Sequence, residues 1–309
     1  MRSIRRAAAT LGEALLEAFA SRLAEQDLSP VTVRGYRHDL ERFRRWIEAD
    51  RVAVPLASIT AVDLINYRQH LIGAERLQAT TVNRKIQALK KLFGWARQSG
   101  RVKTDVSAEL RFLAVGQRLR PPSLTEAEMQ ALLRAAGQTR HGLARRNYAL
   151  VTVLAETGLR VSELCCLRRD DFELRERSGQ LRVREGKGRK ERVLPLNSNA
   201  RRALRVYLSD RLPSNGDDHV FLSERGGRPL AVRTVEATLA ELGQRAHIRR
   251  LAVTPHLMRH TFAVRYLKRN PGRLLELAAL LGHDSLDTTA IYTRPTAEQL
   301  AAGVERNRR

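Results

Sequence analysis

The stretch Leu181-Arg-Val-Arg-Glu-Gly-Lys-Gly-Arg-Lys-Glu-Arg-Val-Leu-Pro-Leu196 decides what kind of fold this chain can form. Leu181-Arg-Val-Arg184 and Arg192-Val-Leu-Pro195 flank a glycine-rich turn, which predicts a β-hairpin. It is the clearest β-signal in the sequence, and what surrounds it repeats with the period of helices. The expected class is therefore mostly α with a small β-sheet, an α+β fold. Lys187 stands between two glycines at the turn, where a long side chain projects freely. Lysine is scarce here, 7 of 56 basic residues. Lysine can release its proton after a modest pKa shift, whereas arginine effectively cannot, so Lys187 is a candidate general acid, with Lys190 in reserve.

Upstream of the hairpin, residues 12 to 113 read as helices. Leu15, Leu16, Phe19 and Leu23 form one apolar stripe, and Ser29-Pro30 caps a second helix through Tyr36, Leu40, Phe43 and Ile47. Ile59-Thr60 opens a third through Leu64, Tyr67 and Leu71. Thr80-Thr81 opens a fourth through Ile86, Leu89, Phe93 and Trp95. Arg84, Lys85, Lys90 and Lys91 sit beside these apolar anchors and are candidate DNA contacts, as are Arg189 and Lys190 at the hairpin turn. The paired prolines of Val115-Gly-Gln-Arg-Leu-Arg-Pro-Pro122 suit a basic linker, so residues 1–114 and 123–309 are expected to be separate domains. In the second, Thr125-Glu-Ala-Glu128 is a capping box and Tyr148 to Glu156 is apolar nearly all round, as a core helix would be.

The chain has 309 residues and a formal net charge of +23, from 56 Lys and Arg against 33 Asp and Glu. Its natural partner is a polyanion, and nucleic acid comes first. The excess is spread along the chain, 22 basic against 12 acidic residues up to residue 120 and 34 against 21 beyond it, so both halves can touch phosphates. The adjacent Cys165 and Cys166 suit neither an ordinary disulfide nor a metal site and read as reduced, buried filler. No run of 18 apolar residues spans a membrane, and the Arg-rich start, interrupted by Glu13, reads as a basic end before a helix rather than a transit peptide. A cytoplasmic, nucleoid-associated location is the expectation.

Three further segments carry chemistry. In Thr157-Gly-Leu-Arg-Val-Ser-Glu163, Gly158 stops one helix and Arg160 stands at the mouth of the next, among free backbone N–H groups. In Thr254-Pro-His-Leu-Met-Arg-His260, Thr254 is an N-cap and Pro255 the first helical residue, with His256 and Arg259 three apart on one face. In Leu280-Leu-Gly-His-Asp-Ser-Leu-Asp-Thr-Thr-Ala-Ile-Tyr-Thr-Arg294, His283 and Tyr292 would point to opposite sides of one unbroken helix, since nine residues turn through about 900°. Gly282 and Asp284-Ser285 supply a break, so the two can share a site. Taken singly, each of these residues also suits a surface, core or ion-paired role.

In that order Arg160, Lys187, His256 with Arg259, His283 and Tyr292 resemble the catalytic set of the tyrosine recombinases, the phage-type integrases, closest to the Xer-like members. The resemblance covers Leu11 to about Val304 and implies a two-domain DNA clamp. Residues 1–114 would be the helical core-binding domain and 123–309 the catalytic domain, with 293–309 as its tail. It implies Tyr292 as nucleophile forming a 3′-phosphotyrosine link, and Arg160 and Arg259 as stabilisers of the phosphate charge. His256 would be the general base, Lys187 the acid for the leaving 5′-oxygen, and His283 a hydrogen-bond partner of the phosphate. His260, beside the set, is read as structural. Double-stranded DNA is the implied partner, with four protomers joining two sites and accessory proteins left open. No cofactor and no metal are expected, since the chain has no Walker-type loop and no carboxylate cluster for two metals. A type IB topoisomerase and a non-cutting DNA-binding regulator are the alternative readings.

Overall fold

Helix starts follow their capping residues closely. The computed structural model describes residues 10–26, 28, 30–116, 120–139, 142–184, 191–209, 218–224, 227–283, 285–295 and 305. The chain forms two compact units, Met1–Gln117 and Arg118–Arg309. The first holds α1 (Glu13–Glu25), α2 (Pro30–Glu48), α3 (Ala61–Gly73) and α4 (Ala79–Gln98). Thr60 caps α3 with a complete capping box, its side chain accepting from the Asp63 N–H while Asp63 returns to the Thr60 N–H. At α4 the expectation fails: Gln78 is the N-cap, so Thr80 and Thr81 lie inside the first turn. The core is built on Phe19, Phe43, Tyr67 and Phe93, each burying a large apolar surface worth about 1.5–3 kcal/mol.

This unit also corrects the reading of Lys85. Lys85 is only 4% exposed and its Nζ lies 2.8 Å from Asp39 Oδ1, so it is a buried partner of a buried carboxylate rather than a DNA contact. Arg84 closes the same group, 2.7 Å from Asp39 Oδ2, and ties α4 to α2 while its side chain stays half exposed. Lys90 Nζ donates to the Ser107 and Ala108 carbonyls at 2.8 and 3.0 Å, and Lys91 lies over the Tyr36 ring at 6.0 Å. The charge run is thus partly an internal device. Helix periodicity shows which face a lysine shares but not the carboxylate waiting on another helix.

The second unit contains α5 (Glu126–Gly137), α6 (Leu143–Thr157) and α7 (Val161–Cys165), then β1 (Phe172–Leu174), β2 (Gly179–Val183) and β3 (Arg192–Pro195). There follow α8 (Ser198–Ser209), α9 (Val232–Arg245), α10 (Pro255–Arg269), α11 (Leu274–Leu281) and α12 (Leu286–Ala290). The three strands form one antiparallel sheet in the order β1-β2-β3, with Leu181 opposite Leu194. The two strands pair antiparallel as the sequence implies, and the turn between them, 185–190, lies outside the described residues. The strand β1 has only three residues, too few for an alternation to register, and was not expected. Residues 149–155 of α6 are buried without interruption, making it the central helix, although Tyr148 at its edge is exposed. Cys165 is buried and Cys166 exposed, so only the first is filler. No helix among the described residues is long and apolar enough to cross a membrane.

Candidate active site

Two left-handed glycines build the frame. Gly158 ends α6 at φ 65° and Gly282 ends α11 at φ 64°, a backbone region that L side chains avoid. Beyond Gly158 the chain turns so that Arg160 becomes the N-cap of α7. Glu163, in the first turn, accepts from the Arg160 backbone N–H at 2.8 Å and from Arg160 Nη1 at 2.8 Å. The same carboxylate takes a bidentate pair from Arg192 of β3, Nη1 at 2.9 Å and Nη2 at 2.8 Å. Burial alone would raise the Glu163 pKa. The hydrogen bonds and charge of Arg192, then the hydrogen bonds of Arg160, outweigh it and hold the carboxyl below its usual range.

Arg259 completes the group from α10. That helix starts as the sequence implies, with the Thr254 side chain accepting from the Leu257 N–H and Pro255 in the first turn. Arg259 is 6% exposed; its Nη1 donates to Gly158 O at 2.7 Å and its Nη2 to Leu281 O at 2.8 Å. Burial, followed by the nearby Arg160 charge, pushes its pKa down to about 10, which still leaves it a cation at neutral pH. Three consecutive carbonyls at the end of α11 each hold a different arginine: Leu280 O takes Arg192 Nε at 3.1 Å, Leu281 O takes Arg259, and Gly282 O takes Arg160 Nη2 at 3.1 Å. A helix C-terminus has unsatisfied carbonyls and partial negative charge, so it is a natural seat for guanidinium groups. Among the described residues, three guanidinium charges face one carboxylate. The surplus is what an anion such as a phosphate would neutralise.

His283 and Tyr292 reach this cluster by the chain break. Ser285 caps α12, its Oγ accepting from the Asp287 N–H at 3.2 Å. His283 Nε2 accepts from Arg259 Nη2 at 3.0 Å, which assigns the ring proton to Nδ1, where it donates to the buried Thr289 Oγ1 at 2.8 Å. Tyr292 is 3% exposed and packs with Phe262, Leu277 and Leu281. Its hydroxyl lies 2.7 Å from Nδ1 of His260. Burial raises the phenol pKa, with Arg259 opposing it, so Tyr292 is neutral at physiological pH.

The structure thus gathers Arg160, Arg259, His283 and Tyr292 around the ends of α6 and α11. His256 is exposed one ring further out, its ring 4.1 Å from that of His260 in an edge-to-face contact. Against expectation, the tyrosine hydroxyl meets His260 and not His256, because the residue after Arg259 is the one rotated toward Tyr292. Lys187, Arg189 and Lys190 lie outside the described residues. Arg192 and Glu163 were missed by sequence reading, yet Arg192 left a signal. It is two residues from the buried Leu194 on one strand, so it shares the inward face, and an inward arginine needs a carboxylate. Among the described residues no group of three His, Cys, Asp or Glu could hold a metal ion.

Gly158 gives a direct test of the frame. A Cβ added there would lie 2.3 Å from Phe262 Cδ1 and 2.9 Å from Leu281 Cδ2. Gly158→Ala adds about 1 kcal/mol of left-handed strain to about 1–3 kcal/mol of overpacking. We expect a loss of about 2–4 kcal/mol in urea unfolding, with an unchanged midpoint showing that the turn relaxes freely.

An arginine cluster beside a buried tyrosine, on a helical unit with one small sheet, is an arrangement suited to binding a phosphate next to a hydroxyl nucleophile. Comparison with known proteins agrees. The model of the phage integrase family matches residues 122–299, and that of the phage integrase N-terminal SAM-like domain matches residues 16–100. The chain belongs to the phage integrase family, the tyrosine recombinases. It is 34% identical over 285 residues to tyrosine recombinase XerD of Corynebacterium glutamicum, covering 89% of this chain and 91% of that protein. It is 34% identical over 300 residues to tyrosine recombinase XerA of Pyrococcus furiosus, covering 96% and 95%. Among solved structures, XerH recombinase bound to a palindromic difH substrate after cleavage superposes with a TM-score of 0.77 at 22% identity, covering 95% of this chain and 84% of that one, and that likeness shows the fold. The protein is accordingly a DNA strand-breaking and rejoining enzyme of site-specific recombination, the first of the three sequence readings.

Proposed function

We propose that Tyr292 Oη attacks a DNA backbone phosphate, forming a 3′-phosphotyrosine link while the P–O5′ bond breaks and a 5′-hydroxyl leaves. The observation that carries this reading is the surplus, among the described residues, of guanidinium charge at Arg160, Arg192 and Arg259 around the carboxylate of Glu163, beside a tyrosine hydroxyl. Arg160 and Arg259 bind the nonbridging oxygens, where negative charge builds up in the transition state. Arg259 has five N–H donors and the described contacts engage three, which leaves two for an anion. Arg192 is bound through all three of its nitrogens and acts by fixing Glu163. His283, held at Nε2 by Arg259 and at Nδ1 by Thr289, orients the Arg259 guanidinium in this tautomer and hydrogen-bonds the phosphate once Nε2 carries a proton. His256, exposed at the start of α10, is free to meet the DNA backbone and to take up the tyrosine proton once the duplex is bound. Lys187 protonates the leaving 5′-oxygen. The phosphotyrosine stores the phosphodiester energy, so rejoining is the reverse step and needs no ATP.

Residues 1–114 form the core-binding domain and 123–309 the catalytic domain in this reading, with Arg84, Lys90, Lys91, Arg189 and Lys190 contacting phosphates. Four protomers assemble on two DNA sites beside the chromosome, with the tail 293–309 joining neighbours; its residues 296–304 and 306–309 lie outside the described ones. A role in moving a mobile element or resolving joined chromosomes is consistent with such an assembly.

The test begins by selecting the bound site from a random duplex pool and placing a nick beside the scissile phosphate, so that a cut strand cannot rejoin. A covalent protein–DNA adduct on a denaturing gel is the expected result, and its absence on the selected site overturns the proposal. The acid is tested on the same duplex. Lys187→Ala should cut an ordinary phosphodiester poorly yet recover on a 5′-bridging phosphorothiolate, whose sulfur leaves without a proton. Should Lys190→Ala show that recovery and Lys187→Ala not, the assignment moves to Lys190.

A further inference from the structure

A buried phenol hydroxyl needs a hydrogen-bond partner, and the one given to Tyr292 is specific. Its oxygen sits 2.7 Å from Nδ1 of His260, and the two rings are 5.4 Å apart and tilted by 60°. His260 follows Arg259 directly on α10, so its backbone is one helical step, about 100° and 1.5 Å along the axis, from that of the arginine whose guanidinium Gly158 O and Leu281 O lock in place. The nucleophile is therefore registered against the arginine cluster through one residue step of a rigid helix, not through the short α12 segment that carries it.

We propose that His260 is the positioning residue of the nucleophile: its neutral imidazole accepts the Tyr292 O–H at Nδ1 and holds the phenolic oxygen beside Arg259. The proposal rests on Tyr292 being the attacking group. The surroundings keep His260 in the accepting form. Burial, followed by the neighbouring His256 and Arg259, pushes its pKa down to about 4, so at neutral pH the ring has a lone pair to offer. A donor-only imidazolium could not receive the phenol proton. The His256 ring packs against that of His260 in a T-shaped contact, the ring centroids 4.1 Å apart. Attack on a phosphate requires the oxygen in line and within contact distance, and a misplacement of about 1 Å can cost on the order of 10²-fold.

Side-chain chemistry supplies a test that a general loss of packing cannot imitate. Asparagine places a polar atom where Nδ1 stands, glutamine reaches toward Nε2, and phenylalanine fills the ring volume with neither. On the nicked duplex, H260F and H260Q should form the covalent adduct on the order of ten-fold or more slowly, with DNA affinity within two-fold of wild type. H260N should recover most of the rate. Equal rates for H260N and H260Q overturn the proposal, as does an H260F rate matching or exceeding wild type, because a faster variant means the bond restrains the tyrosine. If H260F fails to bind DNA, the Asn and Gln pair decides alone. Tyr292→Phe, run in parallel, separates the two readings. An adduct that persists in it removes Tyr292 as nucleophile, whereas a lost adduct with unaffected His260 variants removes only the positioning role.

Discussion

Tyr292→Phe yields no covalent adduct on the nicked duplex while binding the same DNA as tightly as the unmodified protein. The ring packs with Phe262, Leu277 and Leu281, and phenylalanine keeps all of that apolar contact. What disappears is one oxygen and its 2.7 Å bond to His260. The cost to folding is about that of one ordinary hydrogen bond, roughly 0.5–1.5 kcal/mol, and none of the basic surface changes. The chemistry loses its only nucleophile, so the deficit is total rather than graded. A denaturing gel reads the adduct and a mobility shift reads the binding. An adduct formed by the Phe variant would move the nucleophile to another residue.

The second large effect is expected at Arg259. Arg259→Ala should slow cleavage by roughly 10²–10³-fold, the loss that follows removal of one preorganised transition-state donor, about 2.7–4 kcal/mol. Arg160→Ala should fall in the same range by the same reasoning. The two differ in their structural consequences. Arg259 is buried and its loss leaves the carbonyls of Gly158 and Leu281 without their donor, whereas Arg160 is partly exposed and remains replaceable by water. Arg259→Ala should therefore also lower stability, and Arg259→Lys should keep the charge while losing the paired geometry. Single-turnover cleavage alongside urea unfolding separates these terms. A cleavage rate within a few-fold of wild type would reduce Arg259 to a tether between helix ends.

The local signals in the sequence were legible because they act over one turn. Thr60, Thr125 and Thr254 mark helix starts through bonds to residues three positions on, and Gly158 and Gly282 mark stops through a backbone angle that needs no partner. The break that lets His283 and Tyr292 approach a common centre was readable for the same reason. Where the partner is remote, reading failed. Lys85 has the look of a solvated helix face until Asp39, 46 positions earlier, is brought against it. Glu163 reads as a first-turn acid until Arg192 arrives from the sheet. The choice between His256 and His260 depended on helix rotation relative to a segment more than thirty residues away. Knowledge of the family pattern names the residue types in such a site but does not say which of two histidines four apart meets the tyrosine.

The three consecutive carbonyls at the end of α11, each seated on a different arginine, make that helix end a common mounting plate. Its length is consequently not adjustable. One residue inserted before Leu280 would rotate the plate by about 100° and advance it by about 1.5 Å, presenting the wrong carbonyl to every guanidinium at once. Substitutions among Arg160, Arg192 and Arg259 are coupled through the same plate, so their effects combine non-additively, and no one of them has a separable energetic share. For anyone grafting the tyrosine-bearing segment between related enzymes, the transferable unit starts inside α11, upstream of Leu280. A cut placed at the apparent loop after Gly282 would join a nucleophile to a foundation laid for a different one.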